Sequence, residues 1–140
     1  MTRSKQTTDG VEYGGGTDPP KWMTYTYNLS GALIEQTYPS GRVVKNVLDA
    51  SGDLAQVQSG RNADTPVRNY ASNFVYAAAG AVASMKLGNS RFENTVFNSR
   101  LQPTQIGLGS SATNQGLLKL NYDYGTTNNN GRTRYSSLSR

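Results

Sequence analysis

The 140-residue chain has no histidine and no cysteine. Without them no Ser–His–Asp or Cys–His nucleophile can be assembled, and no zinc site built on those ligands. Disulfides are excluded as staples of the fold. Carboxylates are few, nine in all. Asp49 and Asp53 form a close pair that flanks Gly52 in a turn. A calcium loop opening at Asp49 would need Glu at its twelfth position, which is Gly60. No metal, no other cofactor and no catalytic residue is therefore expected, and the chain is expected not to be an enzyme. Long apolar runs are missing too. None approaches the ~18 residues of a membrane span, and the longest mild stretch, 74–82, is rich in alanine. No charged-then-apolar segment opens the chain, so no export signal is expected in it.

Charged residues make up 16% and apolar residues 35%, both below the globular norm. Gly, Ser, Thr and Asn fill the gap. The net charge is +5, with a pI near 9.6. The cations are scattered singly, whereas nucleic-acid binding calls for clusters, so nucleic acid is disfavoured as a partner. At 15.1 kDa one domain is expected.

Residues 1–20 read as a flexible tail or linker. Val11 and Tyr13 are their only large apolar groups, too few to offset chain ordering. From Trp22 the texture changes. Residues 22–27 are β-prone throughout; 32–38 and 42–48 follow, separated by turn residues at 28–31 and 39–41. Strand, turn and strand at this spacing predict antiparallel hairpins. Five alanines within 74–85 admit a helix, but Gly80 costs a helix about 1 kcal/mol, so strand–turn–strand is preferred there.

The chain repeats. Tyr27-Asn28-Leu29-Ser30-Gly31-Ala32-Leu33 recurs as Leu48-Asp49-Ala50-Ser51-Gly52-Asp53-Leu54 and as Tyr76-Ala77-Ala78-Ala79-Gly80-Ala81-Val82. Phe97-Asn98-Ser99-Arg100-Leu101 is a fourth copy, one residue shorter and without the glycine. The stretch from Tyr124 to Asn130-Gly131 is a fifth with a longer turn, its Asn-Gly step a type I′ signal. The steps between the first four copies are 21, 28 and 21 residues, with residues 60–66 as a loop insertion. The opposite turn keeps register: Gly41 lies 14 residues after Tyr27, and Ser90 lies 14 after Tyr76. Asn28, Asp49 and Asn98 can bond their own backbone two residues on, and Gly31, Gly41, Gly52, Gly80 and Gly131 suit turns that require positive φ. One hairpin cannot bury its apolar face, but stacked copies can.

The segments Tyr-Thr-Tyr-Asn-Leu-Ser-Gly-Ala-Leu (25–33) and Tyr-Pro-Ser-Gly-Arg-Val-Val (38–44) resemble the YD repeats of the Rhs (rearrangement hotspot) family over roughly residues 22–131. The resemblance implies an all-β fold of tandem antiparallel β-hairpins in an open-ended stack. The repeat module would span 21–135, with 136–140 as a tail. It also implies a non-catalytic structural role as a segment of a hollow β-hairpin shell or cell-surface assembly. Adjoining repeats of a larger chain, or other copies of this one, are the implied partners, with an enclosed toxin domain as cargo and an extracellular or cell-surface location.

Two uses compete for the aromatic residues. Tyr25, Tyr27, Tyr38, Tyr76, Tyr122 and Tyr124 fall at periodic strand positions, which favours cross-strand packing. The alternative function is a binding module whose aromatic face holds carbohydrate or nucleic acid. For assembly, the first repeat strand matters most. Trp22, Thr24, Tyr25, Thr26 and Tyr27 lie in an uncharged strand, so this edge is expected to self-associate into dimers or filaments.

Overall fold

The structure, a computed structural model, describes residues 2–13, 22–61, 67–125, 127 and 129–139. The elements in chain order are β1 (Arg3–Ser4), β2 (Gln6–Thr8), β3 (Val11–Tyr13), β4 (Met23–Tyr27), β5 (Leu33–Thr37), β6 (Arg42–Leu48), β7 (Leu54–Arg61), β8 (Arg68–Tyr76), β9 (Val82–Leu87), β10 (Phe92–Phe97), β11 (Pro103–Gly109), β12 (Leu118–Asp123) and β13 (Tyr135–Ser139). The fold is all-β and antiparallel, and no helix occurs among the described residues. Residues 74–85 form strand, turn and strand, the glycine having told against a helix.

Two compact units divide the chain at Tyr70/Ala71. In the first, strands pair in the order β1-β4-β5-β6-β7, with β2 and β3 as a separate hairpin. In the second, the order runs from β8 to β13 without a crossover. From β4 to β7 and from β8 to β13 the pairing follows chain order, whereas β1 pairs with β4 and leaves the β2–β3 hairpin between them in sequence.

The turns explain the pairing. Gly31 N–H donates to the Asn28 carbonyl (3.0 Å) and Asn28 N–H to the Ala32 carbonyl (3.0 Å). Gly52 with Asp49, Gly80 with Ala77 and Leu101 with Asn98 close in the same way, at 3.1, 2.8 and 2.9 Å. The closing residue has positive φ each time: 84° at Gly31, 90° at Gly52, 84° at Gly80 and 61° at Leu101. The strand pairing then slips by one residue at Tyr27, Leu48, Tyr76 and Phe97. This is a type I turn followed by a left-handed bulge residue.

The fourth copy is therefore not shorter. Leu101 occupies the glycine position, and Phe97 pairs with Pro103 as Tyr27 pairs with Leu33. The opposite turns match as well: Gly41 (φ 78°) and Ser90 (φ 64°) close on Tyr38 and Leu87. The landmarks Tyr27, Tyr38 and Leu48 of the first unit recur in the second as Tyr76, Leu87 and Phe97, each 49 residues on.

Three expectations differ from the structure. Residues 1–20 were read as a tail, yet β1 pairs with β4 through Arg3↔Thr24 and Ser4↔Met23, and β2 pairs with β3. Ladder bonds come from the backbone, so a segment poor in apolar side chains can still pair. Residues 14–20 lie outside the described residues, as do 62–66 of the loop insertion. At the other end, Ser136 to Ser139, read as a tail, belong to β13 and pair with β12. Finally, Asn130-Gly131 is not a two-residue hairpin turn. The connection runs from Asp123 to Tyr135, with Arg134 N–H on the Asp123 carbonyl at 2.7 Å.

No apolar side chain among the described residues is fully buried. The buried positions are Gly41, Ser59, Asn94, Gly107 and Gly109.

Candidate functional site

Three features bear function: the repeat turns, the strand edges and the two faces of each sheet. The turns come first, because they fix the register of everything else. Asp49 Oδ1 accepts from the N–H groups of Ser51 (2.8 Å) and Asp53 (3.0 Å). Asn98 Oδ1 accepts from Arg100 (2.9 Å) and Gln102 (3.0 Å) in the same way. Asn28 Oδ1 takes the Ala32 N–H (2.8 Å) and the Ser30 hydroxyl (2.8 Å). These carboxyl and amide oxygens thus cap backbone donors of their own turns. Ala77 stands at the same position in the third copy with no side-chain acceptor, and that turn relies on its backbone bonds alone.

The edge expected to be open is partly covered. Thr24 and Met23 pair with β1, Tyr25 N–H donates to the Thr2 carbonyl (2.9 Å), and the Tyr25 hydroxyl meets Ser4 Oγ at 3.0 Å. Arg3 lies over the Trp22 ring at 5.1 Å. Thr26 and Tyr27 lie beyond this cover, and Tyr27 is exposed. The N-terminal segment thus supplies the charge that the strand itself lacks. At the other end of the strand order, the outer edge of β13 has no partner strand among the described residues. Between Arg134 and Arg140 its sequence, Tyr-Ser-Ser-Leu-Ser, carries no charge.

The faces follow from the pairing register. In the first unit Thr26, Glu35, Lys45 and Gln58 stand in one cross-strand row. Lys45 Nζ lies 3.4 Å from Glu35 Oε2, and Gln58 Nε2 donates to Asn69 Oδ1 at 3.1 Å. Tyr25, Gln36, Val44 and Ser59 form the neighbouring row on the opposite face. There the Arg42 guanidinium donates through Nε to Ser59 Oγ (2.9 Å) and lies over the Tyr70 ring.

In the second unit the row equivalent to Glu35–Lys45–Gln58 is Ser84–Asn94–Gly107, continued by Lys119. Next to it Gln105, Asn121 and Ser137 are linked by side-chain bonds of 2.7 and 3.4 Å. The opposite face holds Thr95, Ile106, Leu120 and Leu138 in one row and Met85, Glu93, Leu108 and Leu118 in the next. Leu138 is 58% exposed and the other aliphatic side chains here are half-buried. A connection folds onto the polar face. Gln115 lies against Gly107, and a Cβ added to Gly109 would collide with the Asn114 carbonyl. Sequence reasoning missed this strap, because nothing in Asn114 or Gln115 signals that they fold back over the strand.

Of the tyrosines, Tyr25 and Tyr76 are half-buried and Tyr27 exposed, and the Phe74 and Tyr76 rings stack at 6.2 Å. Tyr124 donates its hydroxyl to the Pro103 carbonyl at 3.1 Å. Tyr25 and Tyr124 thus contact β1 and β11, whereas the Phe74–Tyr76 stack lies within β8.

No known family profile matches the sequence, and no curated protein does. Solved structures do match. The chain is similar to part of the Photorhabdus luminescens Tc holotoxin pore bearing a mutated TccC3, at 18% identity and a TM-score of 0.68. It is similar likewise to the TcdB2–TccC3 complex solved without the hypervariable C-terminal region, at 18% identity and a TM-score of 0.68. Each likeness covers 88% of this chain, and the chain spans only 6% of the matched one. At this identity the likeness is one of fold, and it agrees with the resemblance to a YD-repeat shell.

Proposed function

We propose that this chain is a non-catalytic structural module, a segment of a β-hairpin shell within a larger secreted or cell-surface assembly. Further repeats of a longer chain, or copies of this one, pair with its open strand edges. The wall built in this way encloses a toxin domain. The observation that carries this reading is the absence of any fully buried apolar side chain among the described residues. A sheet with a half-exposed aliphatic face, whose last strand has an outer edge without a partner among the described residues, gains stability when something completes it. The fold likeness to a small part of the very long TccC3-containing chains supports the same view. Association shifts from β4, which β1 partly covers, to the uncharged outer edge of β13.

Sedimentation velocity from micromolar to millimolar concentration tests this. The expected result is concentration-dependent association that Leu138→Lys suppresses. A chain that stays monomeric and melts cooperatively over the whole range overturns the assembly reading. Thermal stabilisation by an oligosaccharide, without association, would favour a binding module instead.

A further inference from the structure

Asn130 is followed by Gly131 in the connection between β12 and β13, and the two are exposed. It is the only asparagine in the chain that is followed by glycine. Gly131 has a φ of 86°, and nothing lies within 4 Å of the place where its Cβ would be. Glycine thus brings no side chain of its own to hinder approach to its backbone nitrogen. The Asn130 carboxamide is turned toward the backbone that follows it, where its Oδ1 accepts the Arg132 N–H at 3.1 Å. This bond both positions the carbonyl and polarises it toward attack.

One contact opposes the reaction. Gly131 N–H donates to Asn129 Oδ1 at 3.0 Å. A hydrogen bond to the protonated form resists deprotonation, and an amide nitrogen must lose its proton before it can attack. Asn129 is in turn clamped by Gln102: Asn129 Nδ2 donates to Gln102 Oε1 at 2.8 Å, and Gln102 Nε2 donates to Asn129 Oδ1 at 3.1 Å. Gln102 also receives Asn98 Nδ2 at 2.8 Å. The clamp thus ties the Asn130 connection to the β10–β11 turn.

We propose that Asn130 is a site of spontaneous covalent modification to aspartate and isoaspartate, and that the Gln102–Asn129 clamp sets its rate. Hydroxide removes the Gly131 N–H proton. The nitrogen then bonds to Asn130 Cγ, and the carboxamide nitrogen leaves as ammonia after taking a proton from water. Water opens the resulting succinimide at either carbonyl. The net change is one water in and one ammonia out. The formal net charge of +5 falls by one per event. The β-linked product also gains a backbone methylene in the connection leading to β13. Gln102 is a positioning residue here, since it acts through Asn129.

The test incubates the full chain in mildly alkaline buffer and maps peptides by mass, with an isoaspartate assay and circular dichroism alongside. The peptide holding Asn130 is expected to gain one mass unit before any other asparagine does. Gln102→Ala should speed this about fivefold, the factor equivalent to one neutral hydrogen bond. Asn129→Ala removes the acceptor directly and should do the same even where Gln102→Ala disturbs the turn. Asn130→Gln should abolish the isoaspartate signal. Earlier conversion at another asparagine overturns the site, and a rate no faster than wild type in both clamp variants overturns the guard.

Discussion

Leu101 closes the β10–β11 turn in the place where Gly52 closes β6–β7, with φ of 61° against 90°. Both donate an N–H to the carbonyl three residues before, at 2.9 and 3.1 Å. The backbone does the same thing twice, once with the residue suited to it and once with a γ-branched side chain that is 54% exposed.

A left-handed conformation costs an L-residue roughly 1–2 kcal/mol, and glycine gives back part of that through its looser unfolded state. Leu101→Gly should therefore stabilise the second unit by up to about 1 kcal/mol, because little burial is lost. The reverse change, Gly52→Leu, should cost a similar amount. Thermal melts followed by circular dichroism check both directions, and a fall in melting temperature for Leu101→Gly would defeat the argument.

Ala77 lacks the oxygen that Asp49 and Asn98 use to hold two N–H groups each. Ala77→Asp should add such a cap, worth about 0.5–1.5 kcal/mol. In a unit of about 70 residues, 1 kcal/mol corresponds to a rise of roughly 4–8 °C. Differential scanning calorimetry reads it directly.

Gly107 and Gly109 lie under the strap that joins β11 to β12, but against different neighbours. Gly109→Ala must move the Asn114 backbone, whereas Gly107→Ala meets the side chain of Gln115. The first should lose more than 2 kcal/mol, in the range of overpacking strain, and the second less. Urea titration of both variants ranks them, and equal losses would mean that the strap is loosely held.

Removing residues 1–8 strips β1 from β4 and takes Arg3 away from Trp22. The uncovered strand Met-Thr-Tyr-Thr-Tyr should then become a second site of association. Static light scattering is expected to show larger particles for the truncated chain than for the full one at equal concentration.

The hairpins were legible in the sequence because turn chemistry is local. Asn28, Asp49 and Asn98 announce turns by their own side chains, and Tyr27, Leu48, Tyr76 and Phe97 mark where each strand ends. Leu101 misled, since a residue under conformational strain carries no compositional sign of it. The N-terminal strands were illegible for a different reason. Arg3 and Ser4 join the sheet through backbone groups that every residue possesses, and nothing in their side chains signals it. Gly107 and Gly109 share a face by their spacing, but nothing in the sequence shows that Gln115 and Asn114 lie against it.

The missing buried apolar layer carries a thermodynamic consequence. Apolar surface newly wetted on unfolding is what raises the heat capacity of the unfolded chain. With none of its described aliphatic side chains fully buried, this chain should unfold with a heat-capacity increment below the roughly 12–15 cal/mol/K per residue usual for globular domains. Its stability curve should be shallow, changing little between cold and warm conditions. If the proposed assembly also covers Ile106, Leu108 and Leu120, the increment should rise and the curve should steepen. Calorimetric curvature would then count how many neighbours a repeat has acquired.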